Sequence, residues 1–349
     1  MARIYVGAIA AFLAISVGSW AVATTGEPDR SAKLAEFRRP DAIPFPEENP
    51  YQAAKAELGR ALFFDPILSR DGERTCATCH IPGQSWTDAN ARAPRNDGGV
   101  MEFRTPTLLN AAWTEGTYGW DGKFRSLEVV ARTPLTSPSN MNLTPEEMVR
   151  RVSADSAYVA AFEKAFPGGG SPVTQEHIEQ ALATFQRLIV SGPAPFDRWV
   201  EGDARAVDAA AKRGFDLFVG KAHCSACHSG WTFSDGSFHD IGVAQGNDIG
   251  RARFFPTSTA LRYAFKTPTL RNVAGRAPYM HDGSRKTLDE VIDLYDRGGI
   301  DRPSRSRDIR PLALSAEEKA DLIAFLKTLD DDRSADAASR PFGPEPPEP

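Results

Sequence analysis

The chain has 349 residues and a formal net charge of -5, with 41% hydrophobic and 25% charged residues. This length is enough for two domains that each bury a hydrophobic core, and the ordinary composition excludes disordered and fibrous classes. The acidic balance provides no basic surface of the kind that nucleic acid requires, so no nucleic-acid partner is expected.

The N-terminal segment has the pattern of an export signal. Arg3 provides a short basic start, residues 4–22 are almost entirely apolar, and Ala21-Val22-Ala23 has the small-x-small form of a cleavage site. The sequence therefore predicts a cleaved signal peptide at residues 1–23 and a periplasmic protein. The alternative is an uncleaved N-terminal membrane anchor, since the apolar run approaches spanning length. No second apolar segment of that length follows.

Helical patterns dominate the rest of the chain. Thr144 with Glu147, and Ser315 with Glu318, have the spacing of N-terminal capping boxes. The predicted helices cover residues 144–152, 156–166, 175–190, 206–218, 288–297 and 315–329. Alternating strand patterns are scarce. The fold is therefore expected to be mainly α, with long loops.

All four cysteines fall in two Cys-x-x-Cys-His segments, at residues 76–80 and 224–228. This pattern is the signature of c-type haem, in which two thiols bond the porphyrin and the adjacent histidine binds the iron. A structural disulfide or a zinc site is the alternative, but two such segments that use every cysteine disfavour it. The sequence therefore predicts two covalently bound haem c groups, held by Cys76, Cys79 and His80 and by Cys224, Cys227 and His228.

The region after each haem segment repeats. Phe103–Asn110 matches Phe265–Asn272, and Trp120-Asp-Gly122 matches His281-Asp-Gly283. The repeat predicts two cytochrome c-like haem domains. We place the N-terminal haem c domain at residues 24–198 and the C-terminal haem c domain at 199–330, with a junction near 192–202. Residues 331–349 are polar, end in a proline-rich stretch and are predicted to be disordered.

These motifs together resemble the bacterial di-haem cytochrome c peroxidase and MauG superfamily, over roughly residues 50–330. The resemblance implies that the first haem has an open iron site where hydrogen peroxide reacts, and that the second haem is six-coordinate and handles electrons. It also implies that Trp120 relays electrons between the two haems. The alternative for Trp120 is a tryptophan that only packs beside haem.

The resemblance also bears on the second iron ligand of the His228 haem. Leu288, Val291, Ile292 and Tyr295 are spaced along one helix face, so Tyr295 points inward. In this family the ligand position holds methionine in ordinary peroxidases and tyrosine in MauG-type enzymes, and an ungapped count places it at Tyr295. Met280 is the rival, because methionine commonly pairs with histidine in c-type cytochromes.

The pocket for peroxide departs from the family pattern. The positions of a family glutamine and glutamate hold Val130 and Asn140 here. Asn140 is predicted to line the pocket and can hydrogen-bond peroxide, but an amide cannot take up its proton. Either a nearby carboxylate substitutes for the glutamate, or turnover is slow, or the natural oxidant differs. The candidate carboxylates are Glu115, Glu128 and Glu146.

The first haem is expected to be open in the resting protein. No histidine lies between His80 and Trp120 to close it, and Met101 is the alternative ligand there. Four other histidines are predicted to have structural roles: His177 on a helix, His223 near a haem propionate, and His239 and His281 in loops. His239 and His281 are also secondary candidates for the second haem's iron ligand.

The family also holds a calcium ion between its domains. The position of its asparagine ligand is Arg104 here, and Arg276 and Pro278 would supply backbone carbonyls. A guanidinium donates hydrogen bonds to carbonyls and is positively charged, so we expect Arg104 to occupy the ion's place and calcium to be weak or absent. The alternative is that Arg104 pairs with a haem propionate.

Three functions are compatible with this sequence. The first is a MauG-like enzyme that uses peroxide to oxidise a partner protein by long-range electron transfer, which Tyr295 favours. The second is an ordinary cytochrome c peroxidase that receives electrons from a small cytochrome or copper protein. The third is a non-catalytic di-haem electron-transfer protein, to which Val130 and Asn140 give some weight. No membrane partner is expected beyond the alternative N-terminal anchor.

Overall fold

A computed structural model describes Met1, residues 28–168 and residues 170–331. The predicted signal peptide and almost all of the predicted disordered tail lie outside these ranges. The α-helices in the described ranges are α1 (Pro28–Ala35), α2 (Ala53–Phe64), α3 (Leu127–Thr136), α4 (Pro145–Ser153), α5 (Ser156–Ala165), α6 (Gln175–Arg187), α7 (Pro195–Val200), α8 (Ala209–Val219), α9 (Leu288–Arg297) and α10 (Ala316–Lys327). One short antiparallel pair, β1 (Phe238–His239) with β2 (Phe265–Lys266), is the sheet in these ranges. The prediction of a mainly α fold is confirmed.

Two hydrophobic cores organise the chain. In the first core, α2 crosses α6, α5 packs against α2, and α3 packs against α6. Gly59 stands at this crossing, where a Cβ would lie 1.9 Å from the backbone oxygen of Ala181. The absence of a side chain at Gly59 therefore allows the two helix backbones to touch.

The second core repeats this arrangement. Helix α8 crosses α10, and a Cβ on Gly214 would lie 2.0 Å from the backbone oxygen of Asp321. Phe37 and Phe196 pack in this second core, although the predicted boundary at residue 198 places both in the N-terminal domain. The boundary stays a prediction. The chain contributes to the second core both before and after the segment that forms the first core.

The capping box predicted at Ser315 forms in full, whereas at Thr144 only the threonine hydroxyl takes part, accepting the backbone N–H of Glu147 at 3.2 Å. The Ser315 hydroxyl accepts the backbone N–H of Glu318 at 3.1 Å, and the Glu318 carboxylate accepts the N–H of Ser315 at 2.8 Å. At α9, Thr287 accepts the N–H of Glu290 at 3.2 Å, but the Glu290 carboxylate accepts from Lys286 instead of Thr287. Both helix starts nevertheless have satisfied N–H groups.

The two halves meet along the loops that follow the Cys-x-x-Cys-His segments. The guanidinium of Arg251 donates to the backbone oxygens of Asp121 and Gly122, each at 2.9 Å. The backbone N–H of Lys266 donates to the oxygen of Trp120 at 2.8 Å. The C-terminal half therefore holds the Trp-Asp-Gly turn of the N-terminal half. The helices of residues 28–168 and 170–331 include none with the length and hydropathy of a membrane span.

Candidate functional site

The two Cys-x-x-Cys-His segments adopt the same local structure. Each begins with a single 3-10 turn, at Cys76–Thr78 and at Cys224–Ala226. The backbone N–H of His80 donates to Cys76 at 3.0 Å, and that of His228 donates to Cys224 at 2.9 Å. None of the four cysteines forms a disulfide. Each turn thus presents two thiols and an imidazole from five consecutive residues.

Both histidines are oriented by a backbone carbonyl. Nδ1 of His80 lies 3.1 Å from the oxygen of Trp86, and Nδ1 of His228 lies 2.8 Å from the oxygen of Phe233. Only an N–H can bond a carbonyl, so the proton is on Nδ1 and Nε2 keeps its lone pair for a metal. Burial lowers the pKa of both histidines, which keeps both imidazoles neutral. Both residues therefore fit the role of a haem iron ligand.

A large cavity of about 360 Å³ adjoins the second of these segments. Cys224, Cys227 and His228 line it, and Met280 and Tyr295 line it as well. Most of the remaining wall is apolar, from residues such as Leu288 and Ile292 of α9 and others of α10. An apolar cavity with two thiols and a neutral imidazole at its wall fits a covalently attached haem.

Tyr295 reaches this cavity from the last turn of α9, as its spacing predicted. Its phenol forms no hydrogen bond with any described residue, whereas the hydroxyl of Tyr279, another tyrosine of the cavity wall, donates to Ala274 at 3.2 Å. Burial, with the neighbouring thiols of Cys224 and Cys227, raises the pKa of Tyr295. A half-buried phenol without a partner among the described residues is available to a ligand in the cavity.

His281 and His239, the secondary candidates for the second iron ligand, each lie within hydrogen-bond distance of a carboxylate. Nε2 of His281 lies 2.7 Å from the carboxylate of Asp248, and its ring stacks on Phe265 with centroids 3.7 Å apart. Nε2 of His239 lies 2.7 Å from Asp235, whose hydrogen bond, with a smaller contribution from Cys227, raises the pKa of His239 to about 10.

Position alone does not distinguish Met280 from Tyr295 as the second iron ligand of the His228 haem. Met280 has a left-handed backbone, with φ of 73°, and lines the same cavity as Tyr295. Both side chains therefore reach the space beside His228. The ligand assignment stays a prediction.

Trp120 also lines this cavity. Its indole Nε1 donates to the backbone oxygen of Arg104 at 2.8 Å, and its ring centroid lies 6.4 Å from that of His281. Its neighbour Asp121 pairs with Arg253 at 3.2 Å. The ring is thus held at the contact between the two halves, and its role as a relay stays a prediction.

The first histidine lies outside the lining of this cavity. Around it, Trp86 packs edge-on against Phe63 and Phe185, with centroids 5.8 and 6.0 Å apart. Val130 lines the large cavity. Asn140 lies in the turn after α3, half-buried, and its backbone oxygen accepts the side-chain amide of Asn96.

The three carboxylates that were candidates to replace the family glutamate have different surroundings. Glu128 is bound by Arg187 and by Asn49, each at 2.8 Å. Burial alone would raise the pKa of Glu128, but these hydrogen bonds hold it below its usual value. Glu115 is exposed at the wall of the large cavity. Glu146 is exposed in the first turn of α4.

The other predicted residues have ordinary partners. The backbone N–H of Met101 donates to Ala93 at 2.8 Å. Nδ1 of His177 lies 2.7 Å from the oxygen of Pro172, while Nε2 of His223 lies 3.1 Å from Asp308. The propionate contact predicted for His223 therefore competes with a carboxylate that already occupies its Nε2.

Arg104 stands where the resemblance implied a calcium ion. Its guanidinium donates to the backbone oxygens of Arg276 and Asp88, each at 2.9 Å, and to the Thr87 hydroxyl at 2.9 Å. It also approaches the oxygen of Ala277 at 3.4 Å. A guanidinium of the first half thus engages carbonyls of the second half, as expected for a residue that takes the place of a bridging cation.

Several functional features were not apparent from the sequence. The carbonyls of Trp86 and Phe233 orient the two histidines, and both residues have a left-handed backbone with φ of 58° and 55°. Trp86 follows His80 by six residues and Phe233 follows His228 by five, and neither this unequal spacing nor the residue types gave a signal for the two carbonyls. The side chain of Arg276, which also lines the cavity, carried no such signal.

Comparison with known proteins gives consistent results. The family described as "Di-haem cytochrome c peroxidase" matches residues 53–205, and the family described as "Cytochrome c" matches residues 211–330. The methylamine utilization protein MauG of Methylorubrum extorquens is 49% identical over 94% of this chain and 93% of its own length. That of Methylophilus methylotrophus is 44% identical over 91% and 95%.

More distant relatives include peroxidases and a solved structure. The cytochrome c551 peroxidase of Pseudomonas aeruginosa is 30% identical over 82% of this chain and 83% of its own length. The crystal structure of a MauG-like protein associated with microbial copper homeostasis superimposes with a TM-score of 0.79 and 32% identity. That superposition covers 84% of this chain and 95% of the other.

Proposed function

Since the chain belongs to the di-haem cytochrome c peroxidase and MauG family, and is a MauG-like di-haem oxidoreductase with two covalently bound haem c groups, we propose that it oxidises a partner protein with hydrogen peroxide. The oxidation proceeds by electron transfer over a distance, so the partner does not enter the haem pocket. We place this activity in the periplasm, where the predicted signal peptide would deliver the chain.

The haem positions follow from the two repeated segments. Cys76 and Cys79 attach the first haem, and Cys224 and Cys227 attach the second. His80 and His228 are the iron ligands, supported by Nδ1 hydrogen bonds that leave each Nε2 free for a metal. When bound, the haems supply peroxide reduction and the storage and transfer of single electrons.

Tyr295 is the residue that specifies the MauG-like function. The single observation that carries this proposal is its phenol, which faces the His228 cavity without a hydrogen-bond partner among the described residues. A phenolate is a hard anionic donor that stabilises the more oxidised states of iron, whereas the thioether of Met280 would favour the reduced state. Tyr295 therefore suits a site that holds oxidising power.

Trp120 is proposed as the route between the two haem sites. Its ring is fixed by its own N–H bond to Arg104 and by the bond from Lys266 to its backbone oxygen. A fixed aromatic ring at the contact of the two halves lowers the reorganisation needed for each electron to pass. Asn140 is proposed to orient peroxide at the first site by hydrogen bonding.

Electron paramagnetic resonance of the ferric protein tests the ligand assignment. We expect one high-spin signal from the open His80 haem and one low-spin signal from a His/Tyr-ligated haem. Tyr295→Phe should remove the low-spin signal while both haems stay attached. The matched control is Tyr279→Phe, which alters another tyrosine of the same cavity wall, and Met280→Leu should also leave the signal unchanged. Loss of the low-spin signal in Met280→Leu, with retention in Tyr295→Phe, would overturn the assignment.

The second candidate function is that of a peroxidase fed by a small cytochrome or copper protein. The presence of Met280 in the same cavity favours it. Stopped-flow mixing of the peroxide-treated protein with reduced cytochrome c separates the two functions. Fast, complete oxidation of the cytochrome together with a Met280-ligated haem supports the peroxidase. Slow oxidation with a Tyr295-ligated haem supports the MauG-like function.

A further inference from the structure

Two buried arginines of the cavity wall have no carboxylate partner. Arg104 is 5% exposed and Arg276 is 8% exposed, and neither forms an ion pair with a described carboxylate. Other buried arginines are paired, as Arg271 is with Asp197 at 2.7 Å. A buried charge without a counter-charge is costly. The carboxylates of Asp88 and Asp330 act on Arg104 and Arg276 only through space, so no carboxylate among the described residues contacts either guanidinium.

Arg276 is held in place with part of its guanidinium unused. Its Nε donates to the oxygen of Asn272 at 3.1 Å, and its Nη2 donates to that of Thr269 at 2.5 Å. Its Nη1 has no partner among the described residues, and the side chain lines the cavity that His228 also lines. The guanidinium is thus fixed by backbone carbonyls while donors face the space beside the second Cys-x-x-Cys-His segment.

The carboxylate of Asp330 acts on Arg276 without contacting it. The carboxylate of Asp330 accepts the backbone N–H groups of Ala274 and Gly275 at 3.0 and 2.9 Å. Asp330 thus acts on Arg276 through space only. Burial lowers the pKa of Arg276 to about 10; the charge of Asp330 opposes this shift and the charge of Arg104 adds to it.

Arg104 supports Arg276 from the other half of the chain. Its Nη2 donates to the backbone oxygens of Arg276 and Ala277, and its Nε is buried without a partner. It therefore fixes the backbone that carries Arg276 and adds a second positive charge to the same wall. Because Arg104 follows the first haem segment, the anion site also connects the two halves.

We propose that Arg276 binds a propionate carboxylate of the haem held at His228, and that Arg104 positions Arg276 for this contact. A haem carries two propionates, so its entry would supply the counter-charge that the wall lacks. A guanidinium is suited to this because its planar donors match a carboxylate. The inference rests on the proposed placement of a haem at His228.

The contact has consequences for the electronic properties of that haem. A guanidinium beside a propionate offsets its negative charge, and an uncompensated propionate would stabilise ferric over ferrous iron. Loss of the Arg276 charge should therefore lower the midpoint potential of the His228 haem and leave that of the His80 haem unchanged. Loss of the hydrogen bond should also shift the propionate bending modes of that haem.

The test uses the full holoprotein with Arg276→Gln, Arg276→Lys and the control Arg310→Gln. Arg310 is an exposed arginine that lines the same cavity, so its variant removes an equal charge without disturbing a buried group. Resonance Raman spectroscopy follows the propionate modes, and spectroelectrochemistry gives both midpoint potentials. Mass spectrometry first verifies that two haems are attached, which separates a failure of haem placement from a failure of this proposal.

We expect Arg276→Gln to shift the propionate modes and to lower one midpoint potential. Arg276→Lys keeps the charge but not the planar donors, so it should restore the potential while the modes stay shifted. Arg310→Gln should change neither. If Arg276→Gln does not hold haem, unshifted modes in Arg276→Lys overturn the proposal. Unchanged modes and potentials in Arg276→Gln, or an equal effect in Arg310→Gln, overturn it as well.

Discussion

The indole N–H of Trp120 donates a hydrogen bond of 2.8 Å to the backbone oxygen of Arg104. The acceptor belongs to the residue whose guanidinium engages the carbonyls of Arg276 and Ala277 in the other half of the chain. The orientation of the tryptophan ring is therefore tied to the contact between the two halves. A change in that contact would therefore alter the orientation of the Trp120 ring.

We expect Trp120→Phe to retain both haems and both resting spectra but to slow oxidation of a partner protein by about a hundredfold, because phenylalanine is harder to oxidise and lacks the orienting N–H. Single-turnover kinetics with peroxide and a partner protein would measure this. The control is Trp113→Phe, which changes a tryptophan that lines the same cavity but packs against Trp231, with centroids 4.9 Å apart. Equal slowing in both variants would contradict a specific relay.

Glu128→Gln should reduce stability and leave the initial reaction with peroxide almost unchanged. Its carboxylate forms a largely buried ion pair with Arg187 at 2.8 Å, so the amide should lower the free energy of unfolding by about 3 kcal/mol. Chemical denaturation of the holoprotein would measure this. The control is Glu146→Gln at an exposed position. A large loss of peroxide reactivity in Glu128→Gln would instead identify Glu128 as the substitute for the family glutamate.

The pH dependence of that stability difference follows from the lowered pKa of Glu128. A depressed folded-state pKa contributes stability that is present above the unfolded-state pKa and is lost as pH falls through the folded-state value. The difference between wild type and Glu128→Gln should therefore be constant above about pH 5 and shrink at lower pH. A difference that grows on acidification would contradict the ion pair.

The helix-crossing glycines give a prediction about each haem domain separately. Gly59→Ala and Gly214→Ala would place a Cβ 1.9 and 2.0 Å from a backbone oxygen of the facing helix, so each pair of helices must move apart. We expect each variant to lose about 2–3 kcal/mol of stability. Gly275→Ala is the control, since its Cβ would meet nothing closer than 3.6 Å. Thermal unfolding followed at the haem absorbance would show whether this holds.

The sequence predicted the elements of this site better than their contacts. The Cys-x-x-Cys-His spacing indicated the histidines, and helical spacing placed Tyr295 on the inward face of α9, because both signals are local. It did not indicate that the carbonyls of Trp86 and Phe233 orient the imidazoles. A backbone acceptor leaves no mark on residue type, and its position depends on the loop conformation.

Long-range contacts were the least predictable part. The count along the family pattern suggested that Arg104 takes the place of an ion, but only the fold shows its guanidinium on the carbonyl of Arg276. The buried, unpaired side chain of Arg276 had no periodic or spacing signal at all. Similarly, Phe37 packs in the second core across a long stretch of intervening chain, which no local pattern can indicate.

Arg104 leads to a prediction about metal dependence. Because its guanidinium already engages the carbonyls of Asp88, Arg276 and Ala277, we expect a strong calcium chelator to leave the haem spectra, midpoint potentials and peroxide reactivity unchanged. Arg104→Ala should lower the free energy of unfolding by about 3 kcal/mol, since several buried carbonyls lose their donor.

Arg104→Asn would replace the cation with an oxygen ligand of the kind that calcium binds. That variant should gain stability when calcium is added, whereas the wild type should not. Chelator sensitivity of the wild-type protein would show that an ion, and not the Arg104 guanidinium, bridges the two halves.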